Sequence, residues 1–287
     1  MLNLASLCFP DREKSCFFCC PPIRDPEADP LDNIPARRAS LRRNRQNLEE
    51  NLAHPHEISG DSCWGLGFLD DHERQAGCLL HPLRNGGRDL RHLTGYQFKC
   101  ANALCREAEV FNRLQENEKE FCLNLCRGMD SFHYSSRSNP LMRLLAWEEK
   151  MVSLITRTHP AGLSRDDFTN AYGFLWKDLD FRLDGYLALE IAKHRGVIFL
   201  RSHIRTYLEK RTRLIERLRC LPEDSDKHRP PQTPAHKLKI PLSLSRLLKF
   251  GAGLWELSPG SEKPILELVS TMITECISLH QNPEAES

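Results

Sequence analysis

Cysteine clustering is the feature of this sequence that most constrains its fold. Ten of the twelve cysteines fall in the first 126 of 287 residues, and some are closely spaced, as in Cys16-x2-Cys19-Cys20 and Cys100-x4-Cys105. A cysteine that only fills a core is placed wherever packing requires, whereas a zinc ion or an iron–sulfur cluster needs about four thiolates around one centre. The clustering therefore predicts a metal site, with zinc or an iron–sulfur cluster as the cofactor.

The predicted metal ligands are the cysteines between residues 16 and 105. They are Cys16, Cys19, Cys20, Cys63, Cys78, Cys100 and Cys105. An eighth ligand could come from Cys8, just upstream, or from His81, which follows Cys78 at the x2 spacing usual for zinc. One four-coordinate site would use about half of these ligands and two sites would use all of them. The spacing leaves both arrangements open.

The adjacent cysteines Cys19 and Cys20 add a constraint. In a regular strand their side chains would point to opposite faces. Either the backbone makes a tight loop there, or only one of the two is a ligand. The cysteines Cys122 and Cys126 stand four residues apart on a predicted helix, where core packing is the favoured interpretation.

The predicted compartment supports metal binding over disulfide formation. The N-terminus has no basic region, and its apolar part is interrupted within a few residues, so it does not resemble a secretory signal. No run approaches the roughly 18 apolar residues of a membrane span. We therefore expect a cytoplasmic protein without a membrane partner, in which thiols stay reduced.

Apolar residues are sparse in the first third of the chain and form helical stripes in the rest. Prolines and glycines punctuate the first third, where two short strands are predicted at 67–69 and 78–80, around a turn at Asp70 and Asp71. Helices are predicted over 36–53, 103–127, 141–155, 164–176, 186–219 with a split near Gly196, and from Pro264 onward. The predicted fold class is therefore mainly α.

The predicted architecture has two parts. Residues 1–105 form a small, irregular, Cys-rich metal-binding module, which packs on an all-helical domain of residues 106–287. A polar, Pro-rich linker at 222–241 lies within the second part. Because the module has few apolar residues, a structural metal would supply stability that its core lacks.

Three segments of the module carry a family resemblance. They are Cys16-Phe-Phe-Cys19-Cys20, Cys63-Trp-Gly-Leu-Gly-Phe-Leu-Asp70 and Gly77-Cys78-Leu-Leu-His81-Pro82-Leu-Arg84. Together they resemble the zinc- or iron-chelating family known by its CxxCxxCC signature, the YkgJ-like proteins, over about residues 8–105. The resemblance implies a bound metal or cluster and, for some relatives such as flagellin lysine methylases, a part in a modification reaction. The family-matched set, and the preferred first site, is Cys19, Cys20, Cys63 and Cys78.

Basic residues form two further groups. Five of them lie near the cysteines in sequence and could balance the charge of four thiolates, with a plain surface role equally open: Arg84, Arg88, Arg91, Lys99 and Arg106. Four others repeat at i, i+4 within residues 193–219 and could form a phosphate-binding ridge: Arg201, Arg205, Arg213 and Arg217. Because the net charge is only +1, a solvated outer face is favoured over a nucleic-acid partner.

The favoured function is binding of a metal or cluster with a structural or redox role. Two alternatives stay open: a metal-dependent enzyme that modifies a protein partner, and a metal- or redox-sensing regulator associated with nucleic acid. The sequence contains no recognisable nucleophile–base pair or cofactor loop, so it leaves open whether any reaction is catalysed.

Overall fold

The computed structural model of the chain describes residues 6–20, 29–58, 63–102, 104–221, 233–234, 238–257 and 260–279. The fold is mainly helical, as predicted. The chain divides into two compact units, one formed by Met1–Val152 with Ala161–Arg165 and the other by Ser153–Pro160 with Asp166–Ser287. The first unit thus extends well past residue 105, where the sequence predicts a boundary, because it takes in several helices that follow the Cys-rich region.

The first unit combines a loop at residues 6–20 with one hairpin and short helices. Its elements are α1 (Ile34–Gln46), α2 (Leu48–Ala53), β1 (Leu66–Phe68), β2 (Ala76–Cys78), α3 (Gln97–Asn102), α4 (Arg106–Arg113), α5 (Glu116–Asn124), α6 (Ser131–Ser135) and α7 (Pro140–Leu145). The helix predicted over 103–127 is interrupted, because Leu114 and Gln115 are extended. Gln115 and Glu118 then form a capping box that begins α5.

The two predicted strands form an antiparallel hairpin one or two residues earlier than expected. Leu66 of β1 lies opposite Cys78 of β2. The turn between them is held by Asp70, whose carboxylate accepts the backbone N–H groups of His72, Arg74 and Gln75. An aspartate that binds the backbone a few residues ahead is a common turn device, which confirms the predicted turn at Asp70.

A small apolar cluster joins the loop, α1, the hairpin and α6 in the first unit. Its buried members are Phe17, Leu41, Leu66, Phe68, Ala76 and Phe132. The rings of Phe17 and Phe132 meet edge to face, with centroids 5.5 Å apart. Cys20 and Cys63 are partly buried against this same cluster, so the apolar core of this unit borders on thiols.

The second unit is built of helices. They are α9 (Arg165–Tyr172), α10 (Phe174–Lys177), α11 (Phe181–Arg195), α12 (Val197–Ser202), α13 (Ile204–Arg219), α14 (Leu242–Arg246) and α15 (Glu262–Ile277). Helix α8 (Glu148–Thr158) is divided between the units, and the first residue of α9, Arg165, is assigned to the first. A two-residue strand pair, β3 (Thr233–Pro234) with β4 (Glu256–Leu257), and a π-helical turn at Leu247–Gly251 complete it.

The predicted split near Gly196 is confirmed. Gly196 ends α11 with a φ of 82° and a ψ of 161°, a combination that is essentially restricted to glycine. A second break follows at His203, which separates α12 from α13. The predicted linker at 222–241 lies largely outside the described residues. Among the described residues, no helix combines the length and apolarity that crossing a bilayer requires.

Candidate metal-binding thiol cluster

The loop that carries the first cysteines is held in the first unit by serine hydroxyls. The backbone N–H groups of Ser15 and Phe17, on either side of Cys16, donate to the hydroxyl oxygens of Ser131 and Ser135 at 3.0 Å each. Ser131 and Ser135 are four residues apart, so they share one face of α6. We call these two hydrogen bonds the serine clamp. They fix the backbone on both sides of Cys16.

The same loop forms hydrogen bonds to the hairpin and between its own residues. The buried hydroxyl of Ser15 accepts the N–H of Ala76 at 2.8 Å and donates to its carbonyl oxygen at 2.6 Å. The N–H of Cys16 donates to the carbonyl oxygen of Cys8 at 2.8 Å, which brings two distant cysteines side by side. The N–H of Cys20 donates to the carbonyl oxygen of Phe17 at 3.0 Å. Cys19 and Cys20 therefore lie in a tight turn, one of the two arrangements expected for them.

The hairpin positions Cys63 and Cys78. The carbonyl oxygen of Cys63 accepts the N–H of Leu66 at 2.9 Å and the side-chain amide of Asn44 at 3.1 Å. Since Leu66 is the partner of Cys78 across the two strands, Cys63 and Cys78 lie at the same end of the hairpin. A turn and a strand pair thus bring together two thiols that are fifteen residues apart.

Two short helices position the remaining thiols. Cys100 lies on α3, and its carbonyl oxygen accepts a hydrogen bond from the guanidinium of Arg91. Cys105 is the N-cap residue of α4, where its Sγ accepts the N–H of Ala108 at 3.4 Å. The N–H of Ala108 opposes the rise in the pKa of Cys105 that burial causes, but the rise is the larger effect.

All twelve cysteines are free thiols, and eight of them interact electrostatically in the first unit. We call these eight the thiol cluster: Cys8, Cys16, Cys19, Cys20, Cys63, Cys78, Cys100 and Cys105. Burial raises the pKa of seven of them, to about 11 for Cys78 and about 12 for Cys105. The negative charges of neighbouring thiolates add to this rise.

Four members of the thiol cluster lie within electrostatic range of one another: Cys8, Cys16, Cys19 and Cys105. After burial, the charges of Cys19, Cys8 and Cys105 raise the pKa of Cys16. The pKa of Cys105 is raised first by burial and then by charges that include Cys19 and Cys8. The pKa of Cys8 is raised by burial and then by Cys19. Every pair among these four thiols therefore interacts.

The other four members form a second interacting group: Cys20, Cys63, Cys78 and Cys100. The pKa of Cys78 is raised first by burial and also by the charges of Cys63 and Cys100. Burial and the charge of Cys100 raise the pKa of Cys63. The charges of Cys78 and Cys63 contribute to the rise at Cys20. Of the four ligands preferred from the sequence, Cys20, Cys63 and Cys78 belong to this group and Cys19 belongs to the first group.

The two groups meet at Cys19 and Cys20. The thiol of Cys20 donates a hydrogen bond to Cys19, which lowers the pKa of Cys19 to about 7 and raises that of Cys20 well above its usual value. Cys19 also contributes to the raised pKa of Cys100. Cys19 belongs to one group and Cys20 to the other. Because these two thiols interact with each other, the thiol cluster is continuous across this turn.

Two of the five basic residues that the sequence places nearby face the thiols. The positive charge of Lys99 opposes the rise in the pKa of Cys63 and of Cys100, and that of Arg91 does so at Cys78 and Cys100. Two others are engaged elsewhere: Arg84 donates to a backbone carbonyl at 2.8 Å, and Arg106 pairs with Glu148. A cation beside a thiolate stabilises the charged form that binds metal.

The thiols of the described residues do not form a closed ligand shell. In the described part of the chain, no three Cys, His, Asp or Glu side chains are arranged so as to hold a metal ion as they stand. Four sulfurs bound at about 2.3 Å to one tetrahedral ion would lie only about 3.8 Å from one another. Metal binding would therefore require the interacting thiols to move inward.

Other residues singled out by the sequence have different surroundings. Nδ1 of His81 accepts the N–H of Leu83 at 3.2 Å, so only Nε2 is left to serve as a ligand. Cys122 and Cys126 are fully buried, in agreement with predicted core packing.

The predicted basic ridge is divided. Arg201 belongs to α12, whereas Arg205, Arg213 and Arg217 belong to α13, and the break at His203 separates them. All four side chains are exposed. Only Arg213 and Arg217 therefore keep the i, i+4 relation within one helix.

The serine clamp was not anticipated from the sequence. The sequence does contain a local indication of a shared serine face, because Ser131 and Ser135 are four residues apart in a helix that begins after the capping residue Asp130. Their partners Ser15 and Phe17 lie more than 110 residues away in the chain, so only the tertiary fold identifies the contact.

No protein-family model, curated protein or solved structure matches this chain. The resemblance to the CxxCxxCC family and the ligands that it implies therefore stay predictions.

Proposed function

We propose that this chain binds zinc or an iron–sulfur cluster through the thiol cluster, and that the bound centre stabilises the first unit or carries its redox activity. One observation supports this proposal most. Eight free thiols from separate segments of the chain lie in one compact unit, and each interacts electrostatically with at least one other. Core packing alone does not require cysteines to gather in this way.

The chemistry of these residues fits a soft metal. Thiolate sulfur is the ligand that zinc and iron–sulfur clusters share. With raised pKa values most of the thiols hold their protons at neutral pH, so metal uptake would release protons and be weakened by acid. Arg91 and Lys99 would offset part of the negative charge that the thiolates bring.

A structural role for the metal agrees with the place of the thiols in the first unit. Cys20 and Cys63 lie at the border of the apolar cluster around Phe17 and Phe132. The free energy of binding a metal there would add to the free energy that folds the segments carrying its ligands. The bound centre would extend the core at the place where thiols now line it.

The two alternative functions, a modifying enzyme and a nucleic-acid-associated regulator, each require a second functional group in addition to the metal site. A modifying enzyme needs a group that acts on a substrate, and a nucleic-acid-associated regulator needs a phosphate-binding surface such as the arginines of residues 193–219. The break at His203 divides that surface, which favours binding of metal without nucleic acid.

Elemental analysis of protein purified without oxygen tests the proposal. We expect stoichiometric zinc or iron in the wild type, and a loss of half or more of the metal in Cys78→Ser, whose thiol interacts with three others. Visible charge-transfer absorption would distinguish an iron–sulfur cluster from zinc.

Cys220→Ser is the matched control, because Cys220 is exposed and lies in the second unit. It should keep the full metal content. Folded wild-type protein that contains neither zinc nor iron, and takes up neither on reconstitution under reducing conditions, would overturn the proposal.

A further inference from the structure

We infer that a cavity in the first unit binds a small molecule that carries an oxyanion, a carboxylate or a phosphate group, and that Arg127 holds this group. The described residues that line the cavity include no cysteine. The site is therefore separate from the thiol cluster, and the inference goes beyond the proposed function.

The cavity has the size and the mixed walls of a small-molecule site. Its volume is about 700 Å³, within the range of roughly 300–1,000 Å³ that such sites usually have. Four segments form its walls: the loop at residues 6–20, α1, the hairpin turn at 72–74 and the stretch at 123–132, from the end of α5 to the start of α6. Leu123, Met129 and Phe132 give it an apolar part.

Hydrogen bonds fix these walls to one another. The serine clamp joins the loop to α6. The side-chain amide of Gln75 donates to the carbonyl oxygen of Asp11 at 2.9 Å, which joins the loop to the hairpin. The carbonyl oxygen of Arg127 accepts a hydrogen bond from the guanidinium of Arg165 at 3.0 Å. Because the walls are already ordered, a ligand would lose little free energy in ordering them.

The four carboxylates that line the cavity already have basic partners in the first unit. They pair as Asp11 with Lys14, Glu13 with Arg74, Glu73 with Arg38 and Arg42, and Asp130 with His133. Asp130 is also the N-cap residue of α6, where it accepts the N–H groups of Phe132 and His133. A cationic ligand would have to displace one of these partners, whereas an anionic ligand would not.

Arg127 differs from the other cations of the lining. Its Nη2 donates to the side-chain oxygen of Asn124 at 2.7 Å, and it forms no ion pair with a carboxylate of the described residues. A guanidinium presents five N–H donors in a planar fork, which matches two oxygens of a carboxylate or phosphate. The remaining donors of Arg127 are therefore available to an oxyanion in the cavity.

His72 supplies a second polar group. It lies in the hairpin turn and lines the same cavity, and its imidazole makes no hydrogen bond or ion pair within the described part of the chain. A neutral imidazole can donate one hydrogen bond. The cavity thus offers an oxyanion two donors that the protein itself does not occupy, beside an apolar wall.

Isothermal titration calorimetry of the full-length chain, purified without oxygen, tests this inference. Three probes of similar size are used: phenyl phosphate, phenylacetate and, as their cationic counterpart, benzylamine. We expect one equivalent of phenyl phosphate or phenylacetate to bind and benzylamine not to bind. The first two probes distinguish a phosphate ligand from a carboxylate ligand.

Two substitutions test the roles of charge and of space. Arg127→Gln should weaken binding at least about tenfold, because it removes a hydrogen bond to a charged group. Leu123→Trp keeps every charge and fills part of the cavity, so it should also weaken binding. The matched control is Arg43→Gln, since Arg43 is an exposed arginine of α1 that does not line the cavity. Far-UV circular dichroism checks that each variant keeps its helices.

Each contrary outcome has a separate meaning. No binding of either oxyanion by folded wild type would overturn the inference, as would equal affinities of the wild type and Arg127→Gln. A loss in Arg43→Gln as large as that in Arg127→Gln would show attraction to the general surface charge. Binding that Arg127→Gln weakens and Leu123→Trp leaves unchanged would place the anion outside the cavity and contradict the assignment.

Discussion

Removal of metal will destabilise the first unit by about 4 kcal/mol or more, the value for a ligand present at about a thousand times its dissociation constant. The reason is that the thiols come from separate segments that meet beside an apolar cluster, so that metal binding and the folding of those segments are linked. Hydrogen exchange measured by mass spectrometry, with and without a chelator, should show faster exchange at residues 6–20 and 63–78 in the metal-free protein.

The second unit provides the internal control for this result. Helices α11 and α13 lie in that unit, which contains none of the thiol cluster. Their exchange should be unchanged by the chelator. Equal protection of residues 6–20 and 63–78 in metal-free and metal-loaded protein would show that the centre does not stabilise the first unit.

Asp184→Ala is expected to destabilise the second unit by about 3–5 kcal/mol, because it leaves a charged partner without compensation in a buried place. Asp184 lies on α11, is 1 % exposed and pairs with Arg211 on α13. Its other carboxylate oxygen accepts the N–H of Asp180 at 3.2 Å. Burial raises the pKa of Asp184, and the positive charge of Arg211 opposes that rise. Urea denaturation measures this loss of unfolding free energy as a lower midpoint concentration with an unchanged m value.

A surface ion pair between the same unit's helices is the matched control. Lys210 on α13 pairs with Glu275 on α15 at 2.8 Å, and the side chain of Glu275 is half exposed. Exposed pairs contribute about 1 kcal/mol or less, so Glu275→Ala should have a small effect. If Asp184→Ala cost no more than Glu275→Ala, the buried pair would not stabilise the second unit more than an exposed pair does.

The features that could be predicted from the sequence depend on local signals. The Asp70 turn, the hairpin and the break at Gly196 each follow from residues whose backbone preferences act over a few positions. The core placement of Cys122 likewise follows from helical periodicity, whereas Cys126 is buried in the turn that follows α5.

The features that could not be predicted depend on contacts between distant segments. The sequence identifies the eight cysteines of the thiol cluster, with Cys8 as an additional ligand, but their grouping depends on how the loop, hairpin and α4 meet. The serine clamp on residues 15 and 17 comes from α6, so nothing near those residues indicates it. The extent of the first unit beyond residue 105 has the same cause, since α6 completes its apolar cluster.

X-ray absorption at the metal edge tests the central proposal most directly. For protein purified without oxygen, we predict a first coordination sphere made of about four sulfurs per metal atom, at about 2.3 Å for zinc. The cysteines of the thiol cluster are the source of those sulfurs. A sphere dominated by nitrogen or oxygen, in protein with all its thiols reduced, would contradict the proposal that this cluster is the metal site.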